Sequence, residues 1–361
     1  MDISENPRLL FISRAYPPII GGLENQNYEL SVWLPKITET KIIVNRKGKK
    51  YLPFFLPYAT IKALFMSKKY DVLLLGDGVL GIVGWVVKIF HKKPAVCVVH
   101  GLDLTYKNFF YQKFWLGFFL KKMDKLIAVG NETISAGAKR GLDAKKFVFI
   151  PNGVDIKKFI EKYSREDLEK LLKENLTGKK IILTTGRLAA HKGVDWFCEN
   201  VIPSLNKDIL YLIAGDGEKR KEIEKIIAKK NIAQKVRLLG RVSEKELKIL
   251  YNTADLYIKP NIEVTGTMEG FGIVVIEAAS CNLTVIASNL EGLKDAIKDG
   301  QNGFLIETKN STAWAEKINL LLSDNNFRIE FGKKACEFVR NNFAWEKISR
   351  KYIDEIKKTL C

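Results

Sequence analysis

Cysteine is scarce in this chain and never paired. The five residues, Cys97, Cys198, Cys281, Cys336 and Cys361, stand far apart, are odd in number and show no Cys-x-x-Cys spacing. That argues against a disulfide framework or a zinc site and fits a reducing cytosol. Long apolar runs are also missing. The longest uncharged one lies between Asp77 and Lys88, far short of the ~20 residues that span a bilayer. Asp2 and Glu5 precede the first apolar run, so no secretory leader is expected, and the expected location is cytoplasmic. There is no Asp-x-Asp triad and no recognised nucleic-acid motif, so neither a metal site nor a nucleic-acid partner is expected. Acidic residues are outnumbered, 41 Asp and Glu against 59 Lys and Arg, for a net charge of +18. Residues 1–155 hold 23 basic and 12 acidic side chains, a net of +11, while residues 156–361 hold 36 and 29, a net of +7. Such an excess points to polyanions (nucleic acid, an anionic membrane surface or phosphorylated substrates), with a Lys-rich solubilising surface as the plain alternative.

What the chain does have is alternation. Its 361 residues, 47% apolar and 28% charged, suit a globular protein of two or three domains. Short apolar runs at residues 8–13, 41–44, 72–75, 95–99, 125–129 and 147–150 read as buried strands. Amphipathic or apolar stretches at 24–34 and 79–90 fit helices between them. The pattern restarts after a charged stretch at 157–180, with strands at 181–184, 210–214, 235–239, 256–259, 284–287 and 303–306. Helices fit 218–230, 243–252, 273–280 and 311–323, and a last one fits 343–360. Such alternation predicts parallel sheets with helices on both faces, as two Rossmann-like domains joined within 155–178. Two stretches mix Lys with aromatics: residues 46–69 (RKGKK, then YLPFFLPY) and residues 107–122 (KNFFYQKFWLGFFLKK). A basic aromatic helix suits a membrane interface. For residues 46–69 that reading stands beside core or acceptor-cleft burial. For residues 107–122 burial is expected, because so many aromatics are hard to keep wet.

Candidate site residues follow the strands, where open parallel sheets bind ligands. Gly21-Gly22 would let backbone amides approach a phosphate at a helix N-terminus, with Glu24 in the helix's first turn; a tight turn is the plainer reading. His100, in His-Gly-Leu-Asp, could donate to a substrate hydroxyl or simply serve the structure. Arg187 and Lys192, in GRLAAHKG, can grip one pyrophosphate as a planar fork and a point charge. Gly215, in AGDGE, marks another strand-to-helix turn. The sharpest feature is TGTMEGFGIVVIEA at 265–278. Glu269 can accept from sugar hydroxyls, Gly270-Phe271-Gly272 opens a helix whose first amides are free, and Glu277 among apolar neighbours fits a ribose hydroxyl pair.

Taken together, GGLE, HGLD, IPNGVD, GRLAAHKG, AGDGE, LLGRV and EGFGIVVIEA resemble the retaining glycosyltransferases of family 4, over nearly the whole chain. The resemblance implies an α/β GT-B fold: two Rossmann-like domains facing across a cleft, residues 1–165 for the acceptor and 166–342 for the nucleotide sugar. A helix at 343–361 would cross back to the first domain. It implies that Gly21 and Gly22 lie near the donor diphosphate and acceptor and that His100 contacts the hexose 6-hydroxyl. Arg187 and Lys192 would bind the diphosphate, Gly215 would belong to the donor site, and the backbone at Arg241-Val242 would read the base. Glu269 with the amides of Gly270, Phe271 and Gly272 would hold hydroxyls 3 and 4, and Glu277 the ribose. Asp103 stands where relatives often carry an acidic residue. The implied activity is a metal-independent hexosyltransferase without cofactor, using GDP-mannose by preference or a UDP-hexose. Its acceptor would be a glycan or a polyprenyl- or other lipid-linked molecule of cell-envelope polysaccharide or glycolipid synthesis. The implied location is cytoplasmic or peripheral on the inner face of the membrane. A nucleotide-sugar epimerase on the same fold, and a nucleic-acid or scaffold protein, are the alternatives.

Overall fold

The computed structural model describes residues 6–19, 21–159 and 161–360; Asp2, Glu5 and Cys361, named above, lie outside them. The chain divides into two compact units, residues 1–153 with 345–361, and residues 154–344. The first junction precedes the expected boundary at residue 165 because the chain beyond it already packs with the second unit. Val154 N–H donates to Phe343 O at 2.8 Å, and Phe159 stands edge-on to Tyr251 at 5.5 Å.

The first unit runs β1 (Leu9–Ser13), α1 (Gly22–Trp33), β2 (Thr40–Val44), α2 (Leu52–Ser67), β3 (Val72–Leu75), α3 (Gly81–His91), β4 (Ala95–Val99) and α4 (Leu102–Thr105). A π-helix (Tyr111–Phe119) precedes β5 (Lys125–Ala128), α5 (Asn131–Ala138) and β6 (Phe147–Phe149). All six strands are parallel, in the order β2-β1-β3-β4-β5-β6. Strands β1, β3 and β4 are buried at every position, which is why they read as continuous apolar runs rather than alternating ones. The order reverses between β1 and β3, so their carboxyl ends part and leave a crevice.

The aromatic stretches correct one expectation. Residues 107–122 are not buried as a whole: Phe109, Phe110, Phe114 and Phe118 are exposed, Phe109 at 71%. One helix buries one stripe. Here Trp115, Leu116 and Leu120 fill it, with Tyr111 stacked on Trp115 at 5.7 Å. Residues 46–69 hold α2, whose Phe54 (74%) and Phe65 (80%) project outward with Tyr58 and Ile61. Helix α3 joins the two, through Ser67 Oγ to His91 Nδ1 at 2.6 Å and Trp85 against Phe118 at 5.3 Å, and exposes Ile89 and Phe90.

The second unit comprises α6 (Arg165–Leu172), β7 (Lys180–Thr185), α7 (Val194–Asn200), β8 (Ile209–Ala214), α8 (Arg220–Lys229), β9 (Val236–Gly240), α9 (Glu244–Thr253) and β10 (Leu256–Lys259). It continues through α10 (Ile273–Ser280), β11 (Thr284–Ser288), α11 (Leu293–Ala296), β12 (Phe304–Ile306), α12 (Ser311–Ser323) and α13 (Asn325–Phe343). Its parallel sheet has the order β12-β11-β10-β7-β8-β9, reversing between β7 and β10. Its core centres on Phe197, packed against Tyr211 at 5.2 Å and Trp314 at 5.5 Å.

The last helix, α14 (Trp345–Lys357), belongs to the first unit, as expected of a helix that returns there. It buries Trp345, Ile348, Tyr352, Ile353 and Ile356. Gln26 Nε2 donates to Tyr352 Oη at 3.1 Å, and Lys125 pairs with Glu355 at 2.7 Å.

Candidate active site

In the second unit the candidate residues gather at the carboxyl ends of β7, β8, β9 and β10 and at the entry to α10. The turn after β7 carries Arg187, exposed and held by no carboxylate among the described residues. It continues to Lys192, which pairs with Glu269 across 77 residues of sequence. Asn261 Nδ2 donates to the same carboxylate at 2.9 Å, and Glu269 N–H donates to Glu291 at 2.6 Å. Burial opposes the ionisation of Glu269, but the charges of Lys192 and Lys259 prevail and bring its carboxyl down to about 2. His191 has its pKa lowered as well, to about 4, by burial and by Lys192. It is therefore a neutral ring at pH 7.

Gly270-Phe271-Gly272 leads into α10. Phe271 is buried against Phe343 at 5.8 Å, which anchors the turn. Gly272 caps the helix at φ 82°, in the left-handed region that favours glycine. The first amides of α10 have no partner within the helix and aim at whatever lies before it. Farther along, Glu277 accepts from Tyr251 Oη at 3.1 Å; Tyr251 also meets Thr185 Oγ1 at 3.0 Å. Beyond β8, a Cβ on Gly215 would stand 1.8 Å from Gly186 O, so only glycine fits there. Gly215 bridges to Gly240, which sets exposed Arg241 and half-buried Val242 beside that turn.

The first unit holds a second cluster, at the ends of β1, β3 and β4. Gly21 precedes α1 and Gly22 opens it, with Glu24 in the first turn. His100 Nε2 donates to Gly76 O at 3.0 Å, which leaves Nδ1 for a ligand hydroxyl. Asp103 accepts from His100 N at 2.9 Å and Gly78 N at 3.1 Å, so its carboxylate braces the His100 loop. Burial raises its pKa, with His100 opposing and Asp77 adding. Arg14 pairs with fully buried Asp77 at 2.9 Å.

Three participants were missed by sequence reasoning: Asn261, Glu291 and Lys259. Lys259 is only 2% exposed. Its one signal was a cation closing the apolar strand LYIK at a carboxyl end.

Known proteins extend the picture. The family model for glycosyl transferases group 1 matches residues 165–338, and that for glycosyltransferase family 4 matches residues 17–158. An uncharacterized glycosyltransferase of Methanocaldococcus jannaschii is 24% identical over 96% of this chain and 97% of its own. The N,N'-diacetylbacillosaminyl-diphospho-undecaprenol alpha-1,3-N-acetylgalactosaminyltransferase of Campylobacter jejuni is 29% identical over 89% of each chain. The crystal structure of Anabaena Alr3699/HepE in complex with UDP superposes with a TM-score of 0.80 at 18% identity, over 97% of this chain and 100% of its own. With two six-stranded parallel sheets of this order and family models matched along both halves, the chain belongs to the glycosyl transferases group 1 and has the GT-B fold.

Proposed function

We propose that this protein transfers a hexose from a nucleoside diphosphate sugar to a lipid-linked or glycan acceptor, with retention of anomeric configuration and without a divalent metal. The observation that carries the reading is the meeting of Lys192 with Glu269 at the start of α10, beside Arg187, which pairs with no carboxylate among the described residues. Arg187 and Lys192 take the diphosphate and neutralise the charge that grows as it leaves. Glu269 and the amides of Gly270, Phe271 and Gly272 take hydroxyls 3 and 4 of the sugar. Glu277 takes the ribose, the backbone at Arg241-Val242 the base, and Nδ1 of His100 the 6-hydroxyl. The bond from the anomeric carbon to the phosphate oxygen breaks and one to the acceptor oxygen forms on the same face. The acceptor proton passes to the departing phosphate oxygen. Glu269, already held by Lys192 and Asn261, serves hydroxyls and not as a covalent nucleophile.

The acceptor side rests on the first unit. An open cavity of about 490 Å³ is lined by Arg46, Lys47, Tyr51, Phe54, Phe55 and Tyr58 among others. Cations beside aromatic rings suit an anionic head joined to an apolar chain, and the Campylobacter relative is named for a diphospho-undecaprenol substrate. The same side of the unit carries the outward aromatics of α2, α3 and the π-helix. No Asp or Glu occurs at 40–70, 78–102 or 104–123. An acid-free, Lys-rich aromatic face suits an anionic membrane surface. Among the described residues no helix is long and apolar enough to cross a membrane.

The resemblance of MEGFGIVVIEA to the motif of GDP-mannose users in the family favours GDP-mannose as donor. N-acetylgalactosamine in the Campylobacter relative's name and UDP in the Anabaena structure set the competing donors. A thermal-shift and turnover screen with GDP-mannose, UDP-glucose, UDP-galactose, UDP-N-acetylglucosamine and UDP-N-acetylgalactosamine decides among them. Stabilisation by GDP-mannose, an axial product linkage by NMR and activity undiminished by EDTA are expected. Loss of activity to EDTA with recovery in magnesium overturns the metal-free mechanism, and an inverted linkage overturns retention.

A further inference from the structure

We infer that Lys259 is a third anion-binding residue of the donor site, meeting the diphosphate alongside Arg187 and Lys192. The inference rests on the donor-site reading above.

Strand β10 is Leu-Tyr-Ile-Lys and buried throughout. Its first three residues are what a central strand of a parallel sheet calls for; the fourth is not. Lys259 ends the strand at the switch point, and its Nζ would lie 3.9 Å from a Cβ placed on Gly186, the residue before Arg187. Four groups bear on it. Lys192 stands within hydrogen-bonding reach, Glu269 and Glu277 lie near enough to attract it, and His191 feels its charge as it does that of Arg187. Glu269 is already paired with Lys192 and Asn261, Glu277 takes the Tyr251 hydroxyl, and His191 is neutral. Among the described residues no carboxylate forms an ion pair with Lys259. A buried amine so placed has its charge disfavoured unless an anion arrives. Asn261, 1% exposed, adds a second unmet group, because its Oδ1 has no hydrogen-bond partner while its amide nitrogen serves Glu269.

Near pH 7 Lys259 is therefore partly deprotonated. Burial and Lys192 lower its pKa, the two glutamates pull it back, and it comes to rest at about 7. Its amine can then accept from the Lys192 ammonium. A diphosphate supplies the missing negative charge, and Lys259 takes up a proton from solvent as it binds.

The test is calorimetry of the full chain with UDP and with GDP, in buffers of different ionisation heat at pH 7.0 and 8.5. At pH 8.5 the second phosphate ionisation, with a pKa of about 6, is complete and adds nothing. The wild type is expected to take up about half a proton per nucleotide at pH 7.0 and about one at pH 8.5, and to lose affinity about tenfold between pH 8 and 9. Lys259→Met is expected to bind on the order of 10- to 100-fold more weakly, with no such uptake. Lys259→Arg keeps its charge at all these pH values and is expected to bind with no uptake and a flat pH profile. Equal affinity of Lys259→Met and wild type, or equal proton uptake in all three proteins, overturns the inference. If Lys259→Met does not fold, the comparison of Lys259→Arg with wild type decides alone. If the wild type binds neither nucleotide, it is the donor-site reading that fails.

Discussion

At the scale of single residues the two cations of GRLAAHKG are separable by experiment. Lys192→Ala and Arg187→Ala are each expected to cut turnover by a factor on the order of 10² or more, the usual loss when a group stabilising developing negative charge is removed. They should part on stability. Arg187 is exposed with no carboxylate partner among the described residues, so its loss should leave the stability within about 0.5 kcal/mol of wild type and the melting temperature little changed. Lys192 shields a Glu269 side chain that is only 12% exposed, so its loss strands a carboxylate and should lower the melting temperature. Equal melting of both variants, measured by calorimetry, would contradict the ion pair's structural share. Spacing was enough to read these residues, because phosphate and hydroxyl ligands need cations and amides at strand ends and helix starts, and the chain writes them in order. Lys259 was hidden for the opposite reason. A lysine ending an apolar strand looks in sequence like one whose head reaches water, and only packing shows that it does not.

Individual elements differ in how openly they announce themselves. The twelve strands among the described residues stand where short apolar runs place them, most plainly β1, β3, β4, β8, β10 and β11, which are buried at every position and have no polar side to blur the pattern. Some helices of both units were harder. In α2 the apolar residues go all the way round and Pro57 sits inside, which hides the helical period. In α13 the buried positions include Arg328, Gly332 and Cys336, too mixed for a clear apolar stripe. The exposed face is now open to test. Co-sedimentation of the protein with vesicles containing anionic lipid should be strong at low salt and fade as salt rises. The double variant Phe54→Glu, Phe65→Glu should lose binding, because it puts two charges where the most exposed rings of α2 lie. Unchanged sedimentation of that variant would remove α2 from the membrane contact. Binding to neutral vesicles as strong as to anionic ones would remove the electrostatic argument.

For the molecule as a whole, the division of the chain matters more than its length. The first unit is made from two separate stretches, and its second stretch is α14. Five large side chains of α14 are buried. At roughly 1.5–3 kcal/mol each, they are worth on the order of 10 kcal/mol, about the whole stability of an ordinary domain. A chain ending at Ala344 is therefore expected to lose the cooperative unfolding of the first unit while keeping that of the second, which scanning calorimetry or limited proteolysis would reveal. Two intact transitions would show that α14 is dispensable. The order of synthesis carries a further consequence. Between the two stretches lie the 191 residues from 154 to 344. A ribosome adding about 5–20 residues per second needs roughly 10–40 s to lay them down. For that interval the nascent first unit waits with the seat for Trp345, Tyr352 and their neighbours uncovered, while the second unit can already close. The half that starts first finishes last, which makes it the stage of biogenesis where a chaperone has most to shield.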